Sequence, residues 1–366
     1  MKSEKSKRII FLVSNDLTTD NRMHRICNSL ATQGFSVELV GRMLENSKPL
    51  SKNRFLPTRL KLFFTKKFLF YAELNIRFFI YLLMNRFDIV CACDTDTLPA
   101  AYFAKLIKRK KLVYDAHEYY SETPELIGRN FIQSFWQTIE NNLIPKVDFA
   151  YTVNQSLANI FEKKWHKKFE VIRNLPIKSN SLEPKNSSPY ILYQGAVNMG
   201  RGIKEMLLAM QFIENIPFYI VGDGDESEKI KQLIHHYKLE KKVKLLGRKT
   251  PEELRIITHQ AYIGINLLEH RGLNYYYSLS NKFFDYIQAG VPQVCIGFPE
   301  YIAYNENYKV AVLVERLVIE DIVNAIKKIL DNKDVYNELS VNCIQAAKEL
   351  NWELEGQKLI ELYKQL

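Results

Sequence analysis

"RIIFLVSNDLTTDNRMHRICNSLATQGFSVELVGR", Arg8 to Arg42, reads as strand, helix, strand. "RIIFLVS" is a short apolar run of strand length. "NRMHRICNSLATQG" is helical and ends at Gly34, and "FSVELVGR" resumes as a strand. The same rhythm continues outward. "FDIVCAC" (87–93) and "KLVYDA" (111–116) are strands around the helical "TLPAAYFAKLIKR", and "VDFAYTV" (147–153) follows a long helix. Apolar strands alternating with helices predict a mainly parallel sheet covered on both faces.

The polar stretch "KSNSLEPKNSSP", Lys178 to Pro189, has two prolines and four serines and reads as a linker. After it the rhythm restarts with "YILYQG" (190–195), "PFYIVGDG" (217–224), "KVKLLG" (242–247), "AYIGINLL" (261–268), "PQVCIG" (292–297) and "KVAVLV" (309–314). The expected architecture is α/β, with two Rossmann-like domains, 1–178 and 190–350, joined by 179–189. The C-terminal helix, 351–366, is expected to pack back on the first domain. Such halves bind ligands at the carboxyl ends of their strands, here in a cleft between the domains.

The chain has 366 residues, 47% hydrophobic and 25% charged, which fits a soluble protein with two large cores. Its net charge of +10 favours anionic partners. No RNA- or DNA-binding module is recognisable, so nucleic acid is not expected. Five cysteines form no CxxC pair, which predicts a reduced, cytosolic protein without structural zinc. The apolar run after "MKSEKSKR" is too short for a signal peptide, and no run of about 18 apolar residues predicts a membrane span.

Three loops in the second half concentrate glycine and charge. "YQGAVNMGRGIKEM" sets Gly195, Gly200 and Gly202 around Arg201, so that backbone N–H groups and a guanidinium can approach a phosphate. It is neither GxGxxG nor a Walker motif. In "VGDGDESEKI", Gly222 and Gly224 allow a tight turn and Asp223 or Asp225 can cap the next helix, or Gly222 and Asp223 contact a ligand; both readings stand. In "SLSNKFFDYIQAGVP" (278–292), Ser280 is the expected N-cap, leaving N–H groups at 281 to 283 open. Lys282 lies where the helix dipole does not favour a cation unless an anion is near. Asp285, one turn on, can accept bonds from ribose hydroxyls.

Two further features complete the reading. Asp94 and Asp96 in "CDTDT" spell DxD, which can bind a metal through phosphates, but they stand in the half away from the phosphate loops. An acceptor-side or capping role is expected, with no metal. Lys48 to Lys67 holds seven basic residues and no acidic one, followed by the apolar "FLFYAELNIRFFIYLLMNRF". Residues 48–87 are therefore read either as a loop and core helix or as an element touching an anionic membrane.

In order and spacing, "SNDLTTDNRMHRICNSLATQGFSVELVGR", "DAHEYYSETPEL", "VIRNLP", "YQGAVNMGRGIKEM", "VGDGDE", "SLSNKFFDYIQAGVP" and "NWELEGQKLIELY" resemble the GT-B glycosyltransferases of the large retaining family 4 over nearly the whole chain. The resemblance implies transfer of a sugar, with retention, from a UDP- or GDP-sugar to a glycan or lipid-linked saccharide in cell-surface polysaccharide synthesis. The enzyme would be cytoplasmic, peripheral at the inner membrane face, and independent of metal or other cofactor. It assigns Arg201, Lys282 and the helix start at Ser280 and Asn281 to the diphosphate, with Gly195, Gly200, Gly222 and Asp223 alongside. Asp285 falls to the ribose and His117 to the donor sugar. Asn15, Asp20, Arg22, Asp94 and Glu118 fall to the acceptor side. The chain departs from the family at Tyr277, where a first glutamate is usual, at Asp285, where the second is usual, and at Ala196, where a basic residue is common. A nucleotide-sugar epimerase of the same fold and a non-catalytic nucleotide-sugar-binding scaffold are the alternatives.

Overall fold

The computed structural model describes residues 6–18, 20–50, 52–178 and 188–366. All but the last two residues of the expected linker 179–189 lie outside the described residues. The chain divides into two compact units, Met1–Asn174 with Glu355–Leu366, and Leu175–Leu354.

In the first unit, seven parallel strands form one sheet: β1 (Arg8–Leu12), β2 (Ser36–Met43), β3 (Leu56–Lys61), β4 (Ile89–Cys93), β5 (Lys111–Ala116), β6 (Phe149–Thr152) and β7 (Glu170–Val171). Their order is β3-β2-β1-β4-β5-β6-β7. The central strands are buried on both faces, which is why β1 and β4 are apolar without alternation. Helices α1 (Asn21–Thr32), α2 (Lys67–Met84), α3 (Leu98–Lys108), α4 (Asn130–Leu143) and α5 (Gln155–Trp165) make the connections. Asp20 starts α1 by accepting the Met23 N–H at 3.0 Å.

The second unit repeats the plan with β8 (Ile191–Gln194), β9 (Phe218–Val221), β10 (Val243–Gly247), β11 (Ile263–Asn266), β12 (Gln293–Ile296) and β13 (Ala311–Val314). Their order is β10-β9-β8-β11-β12-β13. Its helices are α6 (Ile203–Ala209), α7 (Ser227–His236), α8 (Pro251–Gln260), α9 (Gly272–Tyr276), α10 (Asn281–Gln288), α11 (Pro299–Tyr308), α12 (Ile319–Leu330), α13 (Lys333–Ala347) and α14 (Trp352–Lys364). The last ten residues of α14 belong with the first unit. In each sheet the winding reverses beside the first strand, between β1 and β4 and between β8 and β11. These are the points where a doubly wound sheet opens a crevice at its carboxyl edge.

Two strands escape the sequence pattern. β3, "LPTRLK", is a half-exposed edge strand, and β7 has only two residues. Of the basic stretch, Arg59 turns inward, with only 6% of its side chain exposed, to pair with Asp16 at 2.6 Å. α2 buries Phe70, Leu74, Phe78 and Leu82, a strict i, i+4 stripe. Among the described residues no helix is long and apolar enough to cross a membrane.

The C-terminal helix is tied to the first unit by charge. Glu355, fully buried, accepts the Arg173 N–H at 2.8 Å and the guanidinium NH2 at 2.6 Å. Burial pushes the Glu355 carboxyl up, but the bonds from Arg173 outweigh it and hold it below its ordinary value. Its stabilisation is therefore complete above the unfolded pKa and is lost as pH falls through the depressed folded one. Glu355→Ala is expected to cost the first unit about 3 kcal/mol, because it strands a guanidinium. Urea unfolding at neutral pH measures this, and the gap between wild type and variant should narrow in acid.

Candidate active site

The switch point of the second sheet opens into a cavity of about 210 Å³ lined by Tyr193, Gln194, Gly195, Ala196, Arg201, Leu254, Ser280, Asn281, Lys282 and Asp285. β8 delivers its first residues, the loop after it brings Arg201, and the first turns of α10 bring the last four. Backbone freedom is needed at two glycines. Gly195 has φ +128°, and Gly222 lies so close that a Cβ there would sit 1.8 Å from the Gly195 carbonyl oxygen.

Lys282 dominates this cavity. It is 7% exposed, its Nζ stands 3.9 Å from the centre of the Tyr193 ring, and that Nζ has no hydrogen-bond partner among the described residues. Burial, reinforced by the Arg201 charge, drives its pKa well below the usual lysine value. Arg201 lies over the Tyr275 ring at 4.8 Å, and its buried Nε is likewise unpartnered among the described residues. Two cations thus share one cavity at the positive end of a helix, without an anion facing either of them at ion-pair distance among the described residues.

The α10 start differs from a simple cap. Ser280 occupies the N-cap position, but its side chain makes no cap bond. Its hydroxyl donates to Asn266 Oδ1 at 2.9 Å, and its N–H donates to the Tyr301 hydroxyl at 3.1 Å. Of the three N–H groups expected to be open, that of Phe283 is taken by the Ser280 carbonyl at 3.0 Å. The local i→i+3 bond that tightens the first turn is the reason. Asp285 is oriented from β8: Thr258 donates to Gln194 Oε1 at 2.6 Å, which leaves Gln194 Nε2 to donate to Asp285 at 3.0 Å.

The remaining glycine-loop residues stand outside the cavity lining. Gly200 packs against Arg271 and Tyr275. Asp223 accepts from the Gly224 N–H at 2.9 Å and the Ser227 hydroxyl at 2.7 Å, which braces the turn; it does not cap α7, whose N-cap position is Glu226 without a side-chain cap bond. Tyr277, at the end of α9, does not line the cavity.

At the switch point of the first sheet a second cluster forms. His117, after β5, has Nε2 at 3.0 Å from Asp115 and Nδ1 at 3.5 Å from Asp94, whose Oδ1 accepts the His117 N–H at 2.8 Å. Asp94 holds this position at φ +62°, a left-handed conformation costly for a residue with a Cβ. Burial opposes the charge on His117, but Asp115 and Asp94 outweigh it and raise the imidazole to about 9. Burial likewise opposes the charge of Asp115, yet Arg22 and His117 bring it to about 2. Burial lifts Asp94 and Asp96 to about 7 each.

Arg22 is spent inside the unit. It is 5% exposed, with bonds to Asp115 and the Ile172 carbonyl at 3.0 Å each. Asp20, the α1 cap, also accepts from Asn15 at 2.7 Å. Glu118 adjoins Asp94 closely enough to raise its pKa. Cys93, Asp115 and His117 could bring ligand atoms within 4.8 Å of one another. However, Asp115 is already committed to Arg22, and Cys93 Sγ lies against Met23 Sδ at 3.6 Å. All five cysteines are buried free thiols.

Residues 20–175 match the family described as Glycosyltransferase Family 4, and residues 176–350 match Glycosyl transferases group 1. The chain is a family 4-like glycosyltransferase with the GT-B fold. No curated protein sequence matches it. Sucrose-phosphate synthase from Thermosynechococcus elongatus superimposes with a TM-score of 0.81 at 15% identity, over 98% of this chain and 99% of that one. Anabaena Alr3699/HepE, in complex with UDP and glucose, gives 0.78 at 15% identity over 98% and 100%. WaaG, a glycosyltransferase involved in lipopolysaccharide biosynthesis, gives 0.76 at 13% over 97% and 99%. At such identities these likenesses speak for the fold.

Gln194, Asn266, Tyr301 and Thr258 are absent from the sequence-predicted site. The first two are polar residues closing the apolar strands β8 and β11, a signal visible in "YILYQ" and "IGIN". The other two have no local signal.

Two measurements follow from this geometry. Lys282→Met should stabilise the second unit by about 1–2 kcal/mol, since a buried charge without a counter-ion is replaced by an apolar chain of similar length. Denaturant unfolding checks it. An NMR titration of the His117 ring should give a pKa above 8, and Asp115→Asn should bring it down. For the native pair, the His117 contribution to stability is whole below its unfolded pKa and disappears as pH rises through about 9.

Proposed function

We propose that the chain transfers a sugar from an NDP-sugar to a glycan or lipid-linked saccharide, with retention, in cell-surface polysaccharide synthesis. The observation carrying this reading is the Lys282 Nζ, without a hydrogen-bond partner among the described residues, beside Arg201 in a cavity that Asp285 also lines. A diphosphate supplies the missing negative charge, and Asp285 takes the ribose hydroxyls. The UDP and glucose of the HepE complex support a UDP-sugar as donor. The protein is assigned to the cytoplasm, at the inner face of the membrane that holds its acceptor.

As the anomeric carbon separates from its phosphate, negative charge grows on the leaving oxygen. Arg201, Lys282 and the α10 dipole are already oriented toward an anion and need not reorganise. With these cations carrying the phosphate charge, no divalent metal is invoked. His117, protonated near neutral pH, is a donor to sugar hydroxyls and not a general base. In the front-face mechanism the departing phosphate oxygen accepts the proton of the acceptor hydroxyl as the new glycosidic bond forms. The configuration at the anomeric carbon is then kept without a protein nucleophile.

Arg201→Ala and Lys282→Ala should each lower kcat/KM for the donor on the order of 10²–10³-fold. EDTA should leave activity unchanged. UDP binding should take up protons, because an anion raises the depressed Lys282 pKa. Affinity therefore falls as pH rises between the free and bound values, which calorimetry in buffers of different ionisation enthalpy reads directly. Turnover of an NDP-sugar without acceptor to an epimeric NDP-sugar would replace this reading with the epimerase. UDP binding with no turnover across a broad acceptor panel would replace it with the scaffold.

A further inference from the structure

The first unit exposes an aromatic surface that its own core does not explain. The turn after β3 holds Phe63, 85% exposed, and Phe64. Glu73 on α2 accepts both of their N–H groups, at 2.8 Å for each, and is itself held by Arg77 at 2.7 Å. A carboxylate is thus used to fix a turn that points phenyl rings outward. At the start of α4, Phe131 is 87% exposed, with Ile132 and Phe135 exposed beside it. Phe68 at the start of α2 contacts Phe135, ring centre to ring centre, at 6.1 Å, so the two segments form one patch.

Charge selects the occupant. Across 61–84, α3 and 127–139 the one acidic residue is Glu73, already paired, whereas Lys61, Lys66, Lys67 and Arg129 are exposed. A second copy would bring like charge against like charge. A partner with a continuous apolar interior and an anionic rim matches both features.

The position of the patch adds a route. β3 is parallel to β2, its one neighbour, so the turn after it and the starts of α2 and α4 lie at the carboxyl edge of the sheet, the edge that carries Asp94 and Asp96. From Phe135 the aromatic contacts pass to Trp136 at 5.2 Å and on to Tyr71 and Tyr120 at 5.0 and 5.1 Å. Tyr120 in turn neighbours Asp96, whose buried Oδ1 has no hydrogen-bond partner among the described residues.

We propose that this aromatic and basic face inserts into the interface of an anionic phospholipid bilayer and presents the head of a lipid-linked acceptor to the Asp94–Asp96 edge. The acceptor clause rests on the glycosyltransferase reading; the membrane clause stands without it. The test is co-sedimentation of the full chain with phosphatidylcholine vesicles, with and without phosphatidylglycerol. The wild type should sediment with the anionic vesicles and stay largely free with the neutral ones. The double variant Phe131→Ser, Phe135→Ser should lose partitioning on the order of ten-fold or more. Lys66→Gln with Lys67→Gln should weaken it several-fold and blunt its salt dependence. Phe131, Lys66 and Lys67 stand exposed, so Phe131→Ser alone and the lysine variant should keep the wild-type melting temperature, and they carry the test should the loss of the Phe135 contacts with Phe68 and Trp136 lower that of the double variant. UDP binding and donor hydrolysis on the same preparations report on the second unit, so loss of the enzymatic reading and loss of the membrane reading are separable. Wild type that ignores anionic vesicles, or variants that bind as it does, would overturn the proposal. A serine variant that converts a dimer to a monomer without affecting lipid binding would assign the face to a second copy instead, with the same consequence.

Discussion

A lysine kept out of water, against an aromatic face and beside a guanidinium, can carry its charge only at a cost to the fold. Lys282 is in that state, and the second unit is arranged around it. The cost comes from burial, from the Arg201 charge and from the positive end of α10 together. The Tyr193 ring offsets part of it, since the π-face attracts a cation, and the Asp285 charge offsets a further part. Replacing such a group by a hydrocarbon generally stabilises a protein, so its presence points to a counter-charge that arrives from outside. In the function we propose, a diphosphate brings that charge, and the same electrostatic strain would serve affinity, proton uptake and stabilisation of the leaving group.

The two units solve opposite problems on one topology. Each sheet winds outward, returns to its first strand and winds the other way, which leaves backbone ends and side chains converging at the reversal. In the second unit these are Arg201 and Lys282, with no anion at ion-pair distance among the described residues. In the first they are carboxylates around a protonated histidine, with Arg22 buried beneath them. Asp94 adopts its strained backbone there to hold the His117 N–H. A charged imidazole fixed by two carboxylates is a good hydrogen-bond donor and a poor proton acceptor.

The strand–helix rhythm was legible because buried parallel strands need unbroken apolar runs. Most strands carry that mark, although β10, "VKLLG", is largely exposed. β3 does not, because an edge strand with one face in water can be "LPTRLK", and β7 is too short to show any period. Arg201, Lys282 and Asp285 were legible because each is a polar residue placed where a glycine loop or helix start gives it no packing role. Gln194, Thr258, Asn266 and Tyr301 were harder to see. They act through bonds to residues from 14 to 91 positions away, and pairings over such separations leave no local pattern. Arg59 illustrates the converse. Within a basic run it looks like surface charge, but its partner is Asp16, 43 residues earlier.

The Ser280 network shows how a fold can keep a helix start available. A serine at an N-cap would ordinarily turn its hydroxyl onto the N–H groups of the first turn, satisfying one of them and lowering the pull of that helix end on an anion. Here Asn266 accepts the hydroxyl and Tyr301 accepts the serine N–H, so the side chain is held away from the helix it precedes. Tyr301 is fully buried, and Asn266 sits at the end of β11 beside the switch point. Both therefore act from rigid elements. The core thus spends a buried tyrosine and a buried asparagine on preventing a cap. Such an arrangement suits the use of this helix end that we propose, as a place for an anion.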